Sequence, residues 1–229
     1  MATADFERLR AIMGEPAYTP ARVPWELAPA ELGVQLPSDY RAFIDLYGGV
    51  NFNGEWGMIS PRRDATYNLP GGFAGWRTRA DEEFRETVES EHGFWNKDTP
   101  VFPDPGGLLP WAMNSNHAYA CWLTTDPDPD RWPVAVFDCG EGLDGELELH
   151  EGGFARFVAT VLTGGYPHQD EWLVTPNPEH WGPQPPRPLW TPNRDWDGND
   201  WGGQWGVSGW SAESWSGRAD ALAMPWVRH

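Results

Sequence analysis

Carboxylates have the most conspicuous spacing in this sequence. Asp126-Pro127-Asp128-Pro129-Asp130 sets three acids at alternate positions, and Asp195-Trp196-Asp197-Gly198-Asn199-Asp200 gathers three more. Oxygen-rich runs of this kind suit calcium. An EF-hand loop, however, needs glycine at its sixth position and a bidentate acid at its twelfth. Counted from Asp126 those positions hold Arg131 and Phe137, and counted from Asp195 they hold Asp200 and Gly206. Both runs fail, and no metal site is expected. The six histidines, at 92, 117, 150, 168, 180 and 229, include no HExxH pair. His150-Glu151 stands alone at a strand end and reads as solvated surface. Cys121 and Cys139 have no second pair to complete a zinc site, and read as two small buried hydrophobes on neighbouring strands. A regulatory disulfide is the alternative. The chain carries no GxSxG elbow, no phosphate loop and no GxGxxG turn. No catalytic residue and no cofactor is therefore assigned. Two readings remain for 126–130: a rigid, negatively charged prong, or a proline-rich connection solvated by its acids.

Charge narrows the classes of partner. The 229 residues include 34 acids against 16 bases, a formal charge of −18. Such a surface repels phosphate backbones and anionic membranes, so direct contact with nucleic acid or membrane is not expected. A basic protein would be attracted instead. No apolar run approaches the roughly 18–20 residues of a membrane span. The opening Met1-Ala2-Thr3-Ala4-Asp5-Phe6-Glu7 lacks a basic segment followed by an apolar one. With two cysteines, the expectation is a reduced, cytoplasmic protein, and a monomer.

The elements that would position these residues follow from periodicity. Phe6, Leu9, Ile12 and Met13 recur at helical spacing until Gly14-Glu15-Pro16. Trp25 to Leu32 reads as a short helix with Gly33 past its end. Ser38 reads as the N-cap of a clearer helix, with Tyr40, Phe43, Ile44 and Tyr47 on one face and Gly48-Gly49 as its stop. Gly57–Ser60 reads as a short strand, residues 61–80 as a loop, and Asp81–Glu91 as a helix. Four strands are then expected, at Leu108–Met113, Ala118–Thr124, Trp132–Asp138 and Glu146–His150, before a helix at Gly153–Leu162. Strands in sequence with short connections make an antiparallel sheet with helices to one side, an α+β fold.

These residues resemble a known family. Trp25-Glu26, Glu31-Leu32-Gly33, Leu36-Pro37-Ser38-Asp39-Tyr40-Arg41-Ala42-Phe43 and Tyr47-Gly48-Gly49 are similar to the opening of the SUKH superfamily, in its SMI/KNR branch. Gly107-Leu108-Leu109-Pro110-Trp111, Cys121-Trp122, Asp128, Trp132-Pro133-Val134 and Leu162-Thr163-Gly164 continue the likeness, which covers roughly residues 24–165. The resemblance implies an α+β domain without catalytic residues. It also implies an immunity protein that neutralises a bacterial polymorphic toxin, often one acting on nucleic acid, or, as in fungal members, a regulator acting through protein contacts. The matching residues look like determinants of the fold and locate no toxin-binding surface.

Residues 172–229 differ in composition from residues 1–171. Nine of the 16 tryptophans lie there, among Gly, Ser, Asn and Pro, and no regular period survives. The expected division is a domain over 1–171 and a Trp/Gly/Pro-rich irregular extension over 172–229. Exposed indoles are sticky, so the extension is expected to pack on its own domain; folding on a partner and disorder are the alternatives. Trp25, Trp111, Trp122 and Trp132 fall in apolar elements and read as core or rim, whereas Trp56 falls in a likely turn, open to solvent. The reading that joins these strands is a stoichiometric inhibitor whose acidic face docks in the basic active-site cleft of a toxin. Glu55, Trp56, Asp126, Asp128, Asp130, Glu141 and Asp144 are its expected contacts. The rival reading is a regulatory or scaffold protein with no toxin.

Overall fold

The structure is a computed structural model that describes residues 4–16, 19–20, 22–52, 56–61, 72–89, 100–114, 118–137, 147–167, 190–192 and 207–208. It is an α+β fold around a seven-stranded antiparallel sheet. The elements in chain order are α1 (Ala4–Met13), β1 (Thr19–Pro20), a 3₁₀ turn (Trp25–Leu27), α2 (Ala28–Glu31), α3 (Ser38–Tyr47), β2 (Val50–Phe52) and β3 (Trp56–Met58). Then come α4 (Gly72–Thr78), a π segment (Arg79–Phe84), α5 (Arg85–Glu89), β4 (Leu108–Asn114), β5 (Tyr119–Leu123), a 3₁₀ turn (Pro129–Arg131), β6 (Val134–Phe137), β7 (Glu148–His150) and α6 (Gly153–Leu162). β8 (Trp190–Pro192) and β9 (Val207–Ser208) are the last elements among the described residues. The sheet order is β7-β6-β5-β4-β3-β2-β8, and β1 pairs with β9 in a separate two-stranded ribbon.

Period-two alternation sorts the central strands. On β5, Ala120 and Trp122 point to the main core, whereas Tyr119 and Cys121 point to the opposite face. The register of β4 against β5 shifts between Pro110 and Ala112. The extra residue turns both Trp111 and Ala112 toward the main core, the usual effect of a bulge. That core is aromatic. Tyr40 of α3 meets Trp122 edge-on at 4.9 Å and Phe154 of α6 at 5.2 Å, and its hydroxyl donates to the Ile59 carbonyl at 2.8 Å. Each large side chain buried here contributes about 1.5–3 kcal/mol.

The opposite face carries a smaller cluster, where Phe84 and Val88 lie on Leu108, Met113, Tyr119, Cys121 and Ala135. Residues 72–89 reach both clusters: Phe73, Trp76 and Ala80 belong to the main core, Phe84 and Val88 to the second. Apolar residues at successive steps of four lag behind the 3.6-residue turn, and the wider π segment takes up the drift. Trp76 Nε1 donates to the Pro110 carbonyl at 2.8 Å, on the stretch of β4 that lies beyond its pairing with β3.

Several expectations are corrected. Residues 72–80 are helical, because Phe73 and Trp76 are core residues that a Gly-rich composition disguised. Val50–Phe52 forms a strand of a hairpin with Trp56–Met58, two residues per partner being too few for a periodic signal. Pro37, not Ser38, is the cap residue of α3. The region after 172 is not coil throughout. Trp190–Pro192 pairs with β2 at the sheet edge, and buried Trp190 packs on Tyr47 at 5.4 Å and donates to the Met13 carbonyl at 3.2 Å. The other eight tryptophans of that region lie outside the described residues.

Candidate functional site: an acid-rimmed groove

The Asp126–Asp130 turn joins β5 to β6, and each of its acids is tied to the backbone. Asp126 Oδ1 accepts from the Asp128 amide at 2.8 Å, and Asp128 Oδ1 accepts from the Asp130 amide at 3.1 Å, capping the Pro129–Arg131 turn. Asp130 Oδ1 accepts from the Ser38 amide, so it satisfies the N-terminus of α3 from across the chain. Trp132 Nε1 donates to the Asp126 carbonyl at 2.6 Å. These bonds hold the segment in a defined turn, as the prong reading requires. Its carboxylates are nonetheless engaged as turn and helix caps, a role neither reading included. Asp128 and Asp130 remain exposed and Asp126 half-buried.

A fourth aspartate completes the junction. Asp39 is 9% exposed, and its Oδ2 accepts from the Ala155 amide in α6 at 2.8 Å while Oδ1 accepts from the Tyr40 amide at 2.7 Å. Burial pushes the Asp39 carboxyl above its ordinary range, the two amides pull it back, and the charge of Asp130 adds to the rise. Gly153 permits the approach: a Cβ there would lie 3.2 Å from Asp39 Oδ2, and its φ of +80° belongs to the left-handed region.

Beside the acidic turn lies a groove of about 470 Å³. One wall is Phe102–Gly106, the other Thr124–Pro127 with Pro129 and Trp132, and Val34 and Gln35 close the side. Arg85 holds the first wall, reaching Asp104 Oδ2 at 3.1 Å and the Val101 carbonyl at 3.2 Å. Gly107 anchors it as well, since a Cβ there would lie 2.5 Å from the backbone of Val101 and Phe102.

The remaining expected contacts fall elsewhere. Trp56 was expected in an exposed turn, but it sits in β3 between Phe52 and Asn114 with 1% of its surface exposed. Its indole belongs to the core, and it is withdrawn from the docking face. Glu55, Glu141 and Asp144 lie outside the described residues, as does Cys139. Cys121 is buried. His150 is not simply solvated: it is half-buried, 4.9 Å from the Phe157 ring and 5.4 Å from that of Tyr166, with Glu148 at 3.3 Å. Asp104 and the Phe102–Gly106 wall were missed. A signal existed, because Pro103-Asp104-Pro105 repeats the Pro127-Asp128-Pro129 pattern. Among the described residues, no cluster of three His, Cys, Asp or Glu is placed to hold a metal, and no helix is long and apolar enough to cross a membrane.

Comparison with known proteins adds one match. A family model, SUKH_6, described as SMI1-KNR4 cell-wall, matches residues 25–158, more than half of the chain. Searches of curated proteins and of solved structures return no match. The matched span runs from the Trp25 turn through α3, the central strands and both groove walls into α6. SUKH proteins are commonly of the immunity type and generally non-catalytic. The order of elements and the match over 25–158 agree, and the chain belongs to the SUKH superfamily, in its SMI1-KNR4 family.

Proposed function

We propose that this chain is an immunity protein that binds and neutralises a cognate toxin, acting by occlusion and not by catalysis. The observation that carries the reading is an acid-rimmed groove with pinned walls in a member of an immunity-type family. The net charge of −18 supports it from the sequence. A toxin that handles nucleic acid or a nucleotide carries a basic cleft, and an acidic face docking there competes with substrate phosphates. The working location is the cytoplasm, where such a toxin would act, and the working form is a monomer bound one-to-one. Asp126, Asp128 and Asp130 supply the described part of the docking face, with Glu55, Glu141 and Asp144 as further contacts.

Co-expression with the neighbouring gene product tests this. A one-to-one complex on size exclusion is the expected result, and its absence for every product of the operon removes the reading. Added salt should lower k_on by about tenfold or more between 0.05 and 0.5 M while leaving k_off nearly unchanged. A salt-independent k_on removes the electrostatic part. The family description, SMI1-KNR4 cell-wall, supports the second reading, a non-enzymatic regulatory or scaffold protein. An operon without a toxin favours it.

A further inference from the structure

We propose that the groove beside Asp126 seats an arginine side chain presented by the basic partner. Resting on the immunity reading, this names the group that the docking face recognises. The argument starts from the lining. Pro103, Pro105, Pro127, Pro129, Phe102 and Trp132 provide six of its thirteen lining residues, while Asp104 and Asp126 are the ionisable groups among the described lining residues, with no base beside them. Apolar walls with acids alone exclude an anionic ligand and select a cation with flat, weakly hydrated surfaces.

Arginine meets that requirement better than lysine. Its guanidinium is planar, stacks on flat rings and pairs with carboxylates in a fork, whereas an ammonium would surrender a tight hydration shell in an apolar slot. Arg85 already holds Asp104 Oδ2 at 3.1 Å as part of the wall, so Asp126 is the acid open to exchange, and its own internal cation is weak: Arg131 lies 3.8 Å from Asp126 Oδ2, and its side chain is 72% exposed. An incoming guanidinium displaces it at little cost, since exposed pairs contribute about 0–1 kcal/mol. Both walls are fixed before a partner arrives. Arg85 and Gly107 secure one, and the Asp128 cap with the Trp132 indole secures the other. Pre-fixed walls reduce the ordering cost of binding.

The test uses the full ¹⁵N-labelled chain and capped tripeptides: Gly-Arg-Gly, Gly-Lys-Gly, Gly-citrulline-Gly and Gly-Pro-Pro. The readouts are the Trp132 indole N–H and the Thr124 and Thr125 amides. Saturable shifts with Gly-Arg-Gly are expected, at least fivefold weaker with lysine or citrulline. They should vanish in Asp104→Asn/Asp126→Asn, which keeps an oxygen acceptor at each position, and in Thr125→Lys, which places a cation at the rim and guards against misfolding of the double variant. No shift, equal shifts with citrulline, preferential binding of Gly-Pro-Pro, or arginine binding that survives both variants overturns the proposal. If a co-expressed toxin binds the variants as tightly as the unaltered chain, the groove is overturned and the immunity reading stands. Specific arginine binding with no toxin captured supports the groove and sinks that reading instead.

Discussion

Asp39 and the Asp126–Asp130 turn both serve the start of α3, one from inside the protein and one from outside. Asp39 is buried between two helices, with both oxygens taken by backbone amides. The acids of the turn use one oxygen each for a cap and keep the rest of the carboxylate near solvent. The same side chain therefore works in two regimes. Inside, its charge is a cost that the amides offset, and its removal orphans donors. Outside, capping needs only an oxygen, so charge is left over for a partner. A capping role does not exclude a binding role; it makes the two separable by substitution.

The largest break in this comparison should come from Asp39→Ala. Orphaning the Ala155 and Tyr40 amides should cost about 1–3 kcal/mol in urea denaturation. A loss no greater than that of an exposed acid would show that the junction relaxes or fills with water. Asp130→Ala should follow at about 1 kcal/mol, the usual cost of a lost cap, with Asp130→Asn restoring most of it. Failure of asparagine to rescue would mean that charge, not the acceptor, holds Ser38. Titration sharpens the contrast further. The folded Asp39 carboxyl sits above its ordinary 3.8, so the folded state holds this proton more tightly than the unfolded chain. Its stabilising contribution is full below 3.8 and is lost as pH rises through the folded value. The stability of the unaltered chain relative to Asp39→Asn should therefore decline on going from pH 3 to neutrality. A rise over that range would mean that the two amides outweigh burial. The smallest effect on stability belongs to Asp126→Asn, within about 0.5 kcal/mol, because the Asx oxygen remains. That variant should nonetheless slow association with a basic partner in stopped-flow mixing, and an unchanged k_on would make Asp126 a turn residue only.

Legibility in the sequence followed locality. The buried faces of α1, α3 and α6, and the strands β4 to β7, stand out because their signals repeat within a few residues. Tyr40, Phe43, Ile44 and Tyr47 announce a helix with no help from the rest of the chain. The hairpin of β2 and β3 is too short to repeat anything, and Trp56 beside Asn53-Gly54 looked like a turn until Asn114 supplied its partner. Residues 72–80 were hidden by glycines that lower helix propensity while Phe73 and Trp76 dock on the core. The acidic turn was visible as a pattern, but its capping of α3 joins positions distant in sequence. No local rule links Asp130 to Ser38 or Asp39 to Ala155. The groove is harder still, since it exists only after Phe102–Gly106 and Thr124–Pro129 are brought face to face.

The place of β8 carries a consequence for how the molecule comes into being. Trp190 meets Phe52 at the border of the sheet, and the stretch that separates them in the chain holds every element from β3 to α6. A ribosome releases that domain with the outer rim of β2 bare and the recess beside Tyr47 vacant, and both stay so until the tail emerges. Bare strand rims recruit strangers. The last strand of the sheet thus acts as a late-arriving seal, and a shortened version ending at the family boundary would live permanently in the vulnerable condition that the chain bearing β8 only passes through.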